Sequence, residues 1–250
     1  MSTTVEKALK VLEALAASQD PVPLSQLSRD MGLSKSTAFR LLDTLCRTGY
    51  ARQESSTGRY ALSTKMWELG GSVVRDLEIR TIGHPVLEDV AAETTEATIL
   101  ALLHGNEALV IDTVTSHHAL QIFSSVGSRV GLCHSAIGKA LLAYMPPERL
   151  KQIARTFNPP TPSGLQTWQE LETHLLEIRK HGYALSVDEW HVGVAGIAAP
   201  VCNANGDVIG AFGITWPTLR VSETAFESLG NTCRAAAERI SYALGYRQNH

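Results

Sequence analysis

The first 62 residues follow a pattern that few folds satisfy. Val5, Ala8, Leu9, Leu12, Leu15 and Ala16 fall on one helical stripe, which predicts a helix over residues 4–17. Pro21 and Pro23 end it, because proline removes a helical N–H and clashes with the preceding turn. A short second helix is expected over 25–31, with Leu27 on its buried side and Gly32 at a left-handed C-cap. Ser34 is placed to cap a third helix over 35–48, whose apolar stripe is Ala38, Leu41, Leu42 and Leu45. Its opposite face centres on Ser36, Arg40, Asp43 and Arg47, with Thr37 at the edge. Residues 50–53 and 59–62 read as two short strands around a turn ending in Gly58. Helix, short helix, tight turn, longer helix and hairpin make a winged helix-turn-helix.

The residue types on that third helix suit a DNA major groove. At a helix N-terminus, N–H groups and small hydroxyls hold phosphates, and an arginine one turn on can take guanine O6 and N7 together. Ser34, Lys35, Ser36, Thr37 and Arg40 are therefore the candidate DNA contacts. Arg52 and Arg59, on the hairpin, are placed to reach backbone or minor groove. Charge agrees. The net value is −3, but residues 29–65 carry seven basic and three acidic side chains, a local +4. From residue 79 onward there are 12 basic and 16 acidic, a local −4. A basic module joined to an acidic one suggests a nucleic-acid reader attached to something else. The blander alternative is a structural three-helix module with a surface hairpin.

Composition removes other classes. With 44% hydrophobic and 19% charged residues the chain is globular, and 250 residues make one large domain or two ordinary ones. No apolar run approaches the roughly 18 residues that span a bilayer. The first residues hold no basic stretch leading into an apolar core, so a cytoplasmic protein without a signal peptide is expected. Cys46, Cys133, Cys202 and Cys233 form no CxxC pair and suit reduced, mostly buried thiols. GxGxxG and GxxxxGK[ST] are both absent, so no nucleotide cofactor is expected. His117, His118, His134 and His191 have no zinc-like i, i+4 spacing, so no metal is expected. Cys133-His134-Ser135 puts thiol, imidazole and hydroxyl side by side, but a triad needs convergence from distant positions. An α+β hydrolase with an N-terminal helical module is the alternative from a different class, and its catalytic residues are not evident.

The segment Leu24-Ser25-Gln26-Leu27 through Met31-Gly32-Leu33-Ser34-Lys35-Ser36-Thr37 to Arg40-Leu41-Leu42 closely resembles the DNA-binding motif of the IclR family of bacterial transcriptional regulators. Two later segments fit that family's effector-binding domain. One is His134-Ser135-Ala136-Ile137-Gly138-Lys139-Ala140-Leu141-Leu142. The other runs from Ile178-Arg179-Lys180-His181-Gly182-Tyr183-Ala184 to Ile197-Ala198-Ala199-Pro200-Val201. The resemblance implies a ligand-responsive repressor of a catabolic operon. Homodimers or tetramers would bind double-stranded operator DNA, and a small effector would bind in a GAF-like domain.

Residues 63–77 read as a linker helix with Met66, Trp67 and Leu69 apolar, weakened by Gly70-Gly71. A helix is expected over 81–94, and strands over 98–103 and 107–114 form a hairpin around His104-Gly105-Asn106. A third strand is expected over 120–124, then a helix over 135–144 ended by Pro146-Pro147. An amphipathic helix over 167–181 is capped by Gly182. A second hairpin, 197–202 with 208–215, leads to a long final helix bearing Phe226, Leu229, Cys233, Ala236 and Ile240. The fold class is α+β: a winged helix-turn-helix over 1–64, a linker helix over 65–78, and an antiparallel-sheet effector domain over 79–248.

By resemblance the effector pocket has one wall at Ala136, Ile137 and Gly138, where helix N–H groups would hold an anionic or carbonyl oxygen. Ser186, Asp188, Val194, Gly196, Gly213 and Thr215 are the other positions carried over. Family members that bind glyoxylate- or pyruvate-like acids typically show aspartate at Ser186, cysteine at Gly196, serine at Gly213 and arginine at Ala195. The replacements here imply a roomier, more apolar cavity and an organic acid that is larger, such as an aromatic or sugar acid. Phe212, Trp190 and Trp216 are near enough in sequence to line it, although strand alternation turns Phe212 away from the face bearing Gly213 and core or interface is the alternative place for both tryptophans. The first helix and the linker around Trp67 and Leu69 are the expected dimer contacts.

Overall fold

The structure, a computed structural model, describes residues 3–18, 20–75 and 77–247, so the outer limits of the expected 1–64 and 79–248 segments fall partly outside it. The chain divides into two compact units, Met1–Asp76 and Leu77–His250.

The first unit runs α1 (Thr3–Ala17), α2 (Leu24–Asp30), α3 (Lys35–Arg47), β1 (Ala51–Gln53), β2 (Tyr60–Leu62) and α4 (Lys65–Arg75). Its core joins Val11 and Leu15 of α1, Leu27 of α2, and Leu41, Leu42 and Leu45 of α3 to Ala51 and Tyr60 of the hairpin. Gly32 holds a left-handed φ of +61°, which lets the chain turn sharply from α2 into α3. Val22 exchanges two backbone hydrogen bonds of 2.8 Å with Tyr60 and so ties the proline turn to the hairpin. The inward stripe of α1 differs from expectation. Val11 and Leu15 are buried, whereas Val5 and Leu9 are 57% and 54% exposed. A stripe broad enough to cover both faces hides which one the core takes.

The second unit runs α5 (Glu78–Thr94), β3 (Ala97–His104), β4 (Glu107–Val114), β5 (Arg129–Gly131), α6 (Ala136–Leu142), α7 (Pro147–Ala154), α8 (Trp168–His181), β6 (Ala184–Val187), β7 (Val194–Cys202), β8 (Val208–Pro217) and α9 (Phe226–Ala243). The six strands β3 to β8 form one antiparallel sheet in the order β5-β4-β3-β8-β7-β6. Strand alternation gives its two faces different contents. Phe212, Ile214 and Trp216 of β8 pack with Leu87 and Val90 of α5 and Cys233, Ala236 and Ile240 of α9. On the other face Ala198 and Ala211 pack with α6 and α8. Large residues fill one side; alanine and glycine leave room on the other.

Residues 120–124 form no strand. The place beside β4 is taken by β5, which pairs Ala108 with Val130, and Val110 bonds to Gly127 and Ser128. Segment 115–128 instead crosses as an irregular strap with Leu120 and Phe123 exposed. Pro147 does not merely end a helix. It opens α7 from its first position, where a missing N–H costs nothing. β6 and α7 leave no clear periodicity in the sequence, because they are only four and eight residues long.

Candidate functional site

In the first unit, Ser34 caps α3 by accepting the Thr37 N–H at 3.2 Å, and its hydroxyl lies 2.8 Å from that of Thr37 and 3.1 Å from that of Ser36. Lys35, Ser36 and Arg40 stand exposed beside them. Among the described residues neither Lys35 nor Arg40 has an ion-pair partner. This leaves a helix N-terminus, three hydroxyls and two unspent cations on one outer face. Arg52 pairs with Glu54 at 3.6 Å, and Arg59 reaches the Pro21 carbonyl at 3.4 Å, both at the hairpin surface. Lys65 is spent on the fold: its Nζ donates to the Thr48 carbonyl at the end of α3 and lies 4.4 Å from the Tyr50 ring centre.

The second unit holds a cavity of about 300 Å³ on the small-residue face of the sheet, against the start of α6. Ala136, Ile137, Ser186, Val194, Gly196, Gly213 and Thr215 all line it. Gly138 and Asp188 do not. A Cβ at Gly138 would stand 2.4 Å from backbone atoms of Gly131 and Leu132, so this glycine lets α6 approach the chain leaving β5. Asp188 closes its own loop: φ is +57°, and its Oδ1 accepts the Gly193 N–H at 2.6 Å. Phe212 and Trp216 face the opposite core, whereas Trp190 does line the cavity. Ala195 both borders the cavity and belongs to the opposite core.

The two glycines differ. At Gly213 an added Cβ would meet Ile137 Cδ1 at 2.9 Å and Ile99 Cγ2 at 3.2 Å, so apolar branches already occupy the space. At Gly196 the nearest side-chain atoms lie 3.8 and 3.9 Å away, and the only close group is the Ile214 carbonyl at 3.2 Å. Gly196 adds room; Gly213 does not. Polar groups near the floor are committed. Ser186 donates to the His134 carbonyl at 2.7 Å. Ser135 donates to the Gly131 carbonyl and accepts the Gly138 N–H, capping α6. Among the described residues the hydroxyls of Ser124, Ser125 and Ser128 of the strap and of Thr215 have no partner. The strap thus supplies Ile122, Phe123 and three serines to the lining, which no periodicity in residues 120–128 announces.

Cys133, His134 and Ser135 do not form a reacting set. Burial pushes the Cys133 thiol up to about 11, the reverse of an activated nucleophile. The His134 imidazole is buried, and among the described residues neither ring nitrogen has a partner that meets hydrogen-bond geometry. Burial holds its pKa below the usual range; the Asn158 backbone opposes this, and the Lys139 ammonium adds to it. Among the described residues no three His, Cys, Asp or Glu side chains gather as a metal site requires, and no helix is long and apolar enough to cross a membrane.

The two units match two family models. The IclR helix-turn-helix domain covers residues 4–55, and the bacterial transcriptional regulator IclR C-terminal domain covers 71–242. The chain belongs to the IclR family. This IclR-family protein is a ligand-responsive DNA-binding transcriptional regulator and not an enzyme, which removes the hydrolase alternative. It is 32% identical to the HTH-type transcriptional regulator XynR of Escherichia coli (strain K12), with 97% of each chain covered. It is 27% identical to the transcriptional repressor IclR of the same organism over 97% of this chain and 90% of that one. An IclR homolog from Microbacterium hydrocarbonoxydans, solved in complex with 4-hydroxybenzoate, superposes with a TM-score of 0.84 at 26% identity, covering 97% of this chain and 99% of that one.

Proposed function

We propose that this regulator represses a catabolic operon as a homodimer and is released by an organic acid with an aromatic or otherwise bulky apolar body. The observation that carries the ligand reading is the division of polar groups in the cavity. Ile99, Ile137 and Trp190 give an apolar surface, while Ser135 and Ser186 are already bonded to backbone. The free hydroxyls of Ser124, Ser125, Ser128 and Thr215 remain to meet a carboxylate, with an apolar body below them. Glyoxylate or pyruvate would leave most of that surface unfilled. The Microbacterium homolog's 4-hydroxybenzoate is a ligand of the proposed kind.

Ser34, Lys35, Ser36, Thr37 and Arg40 are proposed to enter the major groove, with Arg52 and Arg59 of the hairpin on the flanking backbone. One reader this small contacts few base pairs, and a two-fold dimer doubles the contacts. Val5 and Leu9 of α1, and Trp67 of α4 at 84% exposure, supply apolar surface for that dimer. A gel shift on DNA beside the protein's own gene, with a panel of keto, aromatic and sugar acids, tests the whole reading. An aromatic acid should disperse the complex. Dispersal by glyoxylate or pyruvate alone would overturn the ligand class, and absence of any complex would overturn the operator.

A further inference from the structure

The Lys139 side chain, on α6, is sealed from solvent altogether. Its Nζ donates to both carboxylate oxygens of Glu189, at 2.6 and 2.8 Å. Burying two charges consumes most of what their attraction returns, and an apolar pair of like volume is often as stable. Such a pair does fix geometry, because an ammonium and a carboxylate hold one separation where methyl groups slide.

What it fixes can be followed along the chain. Glu189 lies in the loop between β6 and β7, immediately before Trp190. That loop is closed on itself by Asp188, whose side chain accepts from Gly193 and whose N–H donates to the Val194 carbonyl at 2.9 Å. Thr161 Oγ1 reaches the carbonyls of Asp188 and Glu189 at 2.6 and 3.0 Å. Lys139 joins this stiff loop to the helix whose first residues line the cavity. Beyond Glu189, the Trp190 indole lies on Gly131 of β5, where an added Cβ would stand 2.4 Å from its ring. β5 and β6 are the two outermost strands of the sheet, so the loop that follows β6 brings Trp190 against the opposite edge strand, beside the cavity it lines.

We propose that the buried Lys139–Glu189 pair is a positioning device that holds Trp190 across the cavity, and that Trp190 thereby limits which ligands fit. The second half rests on reading the cavity as the effector site; the first does not. Lys139 and Glu189 act through Trp190 and touch no ligand.

The protein has four tryptophans, so full-length protein labelled with 5-fluorotryptophan gives four fluorine resonances, and Trp190→Phe assigns one. In Lys139→Met/Glu189→Leu the Trp190 resonance should move or broaden while the other three stay in place. An unmoved Trp190 resonance in the folded double variant would overturn the positioning role. If that variant does not fold, Glu189→Asp keeps the charge and shortens its reach: a shifted resonance supports the role and an unshifted one overturns it. Calorimetry then uses 4-hydroxybenzoate and 2-naphthoate as probes. The double variant should bind 4-hydroxybenzoate about tenfold more weakly, the scale on which outer-shell partners act. Trp190→Ala should admit 2-naphthoate where the wild type rejects it, and equal rejection by both would overturn the limiting role. Should neither acid bind any variant, the effector reading of the cavity fails, while the fluorine resonance still decides the positioning role.

Discussion

On the outer face of α3, Lys35, Ser36 and Arg40 stand in solvent, and neither cation has an ion-pair partner among the described residues. In the wall of the second unit's cavity Ser135 and Ser186 are buried, as is Lys139 on the helix beside it, and each is bonded within the protein. The difference follows from what each surface meets. A phosphate backbone is contacted by groups that water can leave cheaply, and under the proposed reading of α3 that is why these groups stay free. Small-molecule cavities are largely preformed, and under the proposed reading of this one that is why its serines hold the walls and few polar groups remain for a ligand.

The largest expected effect breaks the reader side of this contrast. Arg40→Ala should cost about 1–3 kcal/mol on the preferred site and relax its specificity, measured by fluorescence anisotropy on matched and mismatched DNA. Lys35→Ala should instead weaken all sequences alike and reduce the slope of affinity against salt by about one. Equal binding by Arg40→Ala and wild type would displace α3 as the recognition helix.

On the cavity side the glycines sharpen the contrast between wall and space. Gly138→Ala drives a methyl group against three backbone atoms, an overpacking cost of about 3 kcal/mol. Alanine's better helix propensity returns at most about 1 kcal/mol of that. A net loss of about 2 kcal/mol should lower the melting temperature by roughly 4–8 °C. At Gly196 an added methyl meets the Ile214 carbonyl oxygen at 3.2 Å and no side chain closer than 3.8 Å, so Gly196→Ala should cost about 1 kcal/mol, less than Gly138→Ala. Equal melting temperatures for the two variants would show that Gly138 is not a packing glycine.

The smallest effect is a pH dependence of the sensor domain. The unfolded chain protonates an imidazole near pH 6.5. Burial moves that of His134 lower in the fold. Between the two values the unfolded state holds more protons, so stability falls as pH drops through this window. Melting temperatures from pH 7.5 to 5.5 should fall more steeply in wild type than in His134→Asn. Parallel curves would mean that His134 titrates normally.

The two regions also differ in how far they could be read from residues alone. The reader is built from local signals. Proline breaks, Gly32, the Ser34 cap and the stripe from Ala38 to Leu45 each act within a few residues, and the elements lie where those signals put them. The inward side of α1 is the exception, because Val5 and Leu9 extend its apolar stripe past what the core covers. The cavity is a meeting of distant segments. Family resemblance located seven of its lining residues, but nothing in residues 120–128 announces a strap, and nothing near Trp190 announces Gly131 as its partner. The same limit holds for Gly213, whose space is occupied by Ile99 and Ile137 from two other elements.

Whether the cavity on the small-residue face governs DNA binding is most directly tested by blocking it. Labelled DNA from beside the gene is titrated with wild type and with Gly196→Leu, whose branch projects into the cavity, each with and without a bulky aromatic acid such as 4-hydroxybenzoate. Both proteins should bind the DNA equally well without the acid. The acid should shift the binding midpoint of the wild type and leave that of Gly196→Leu unmoved. An equal shift in both proteins would mean that the acid acts somewhere other than this cavity.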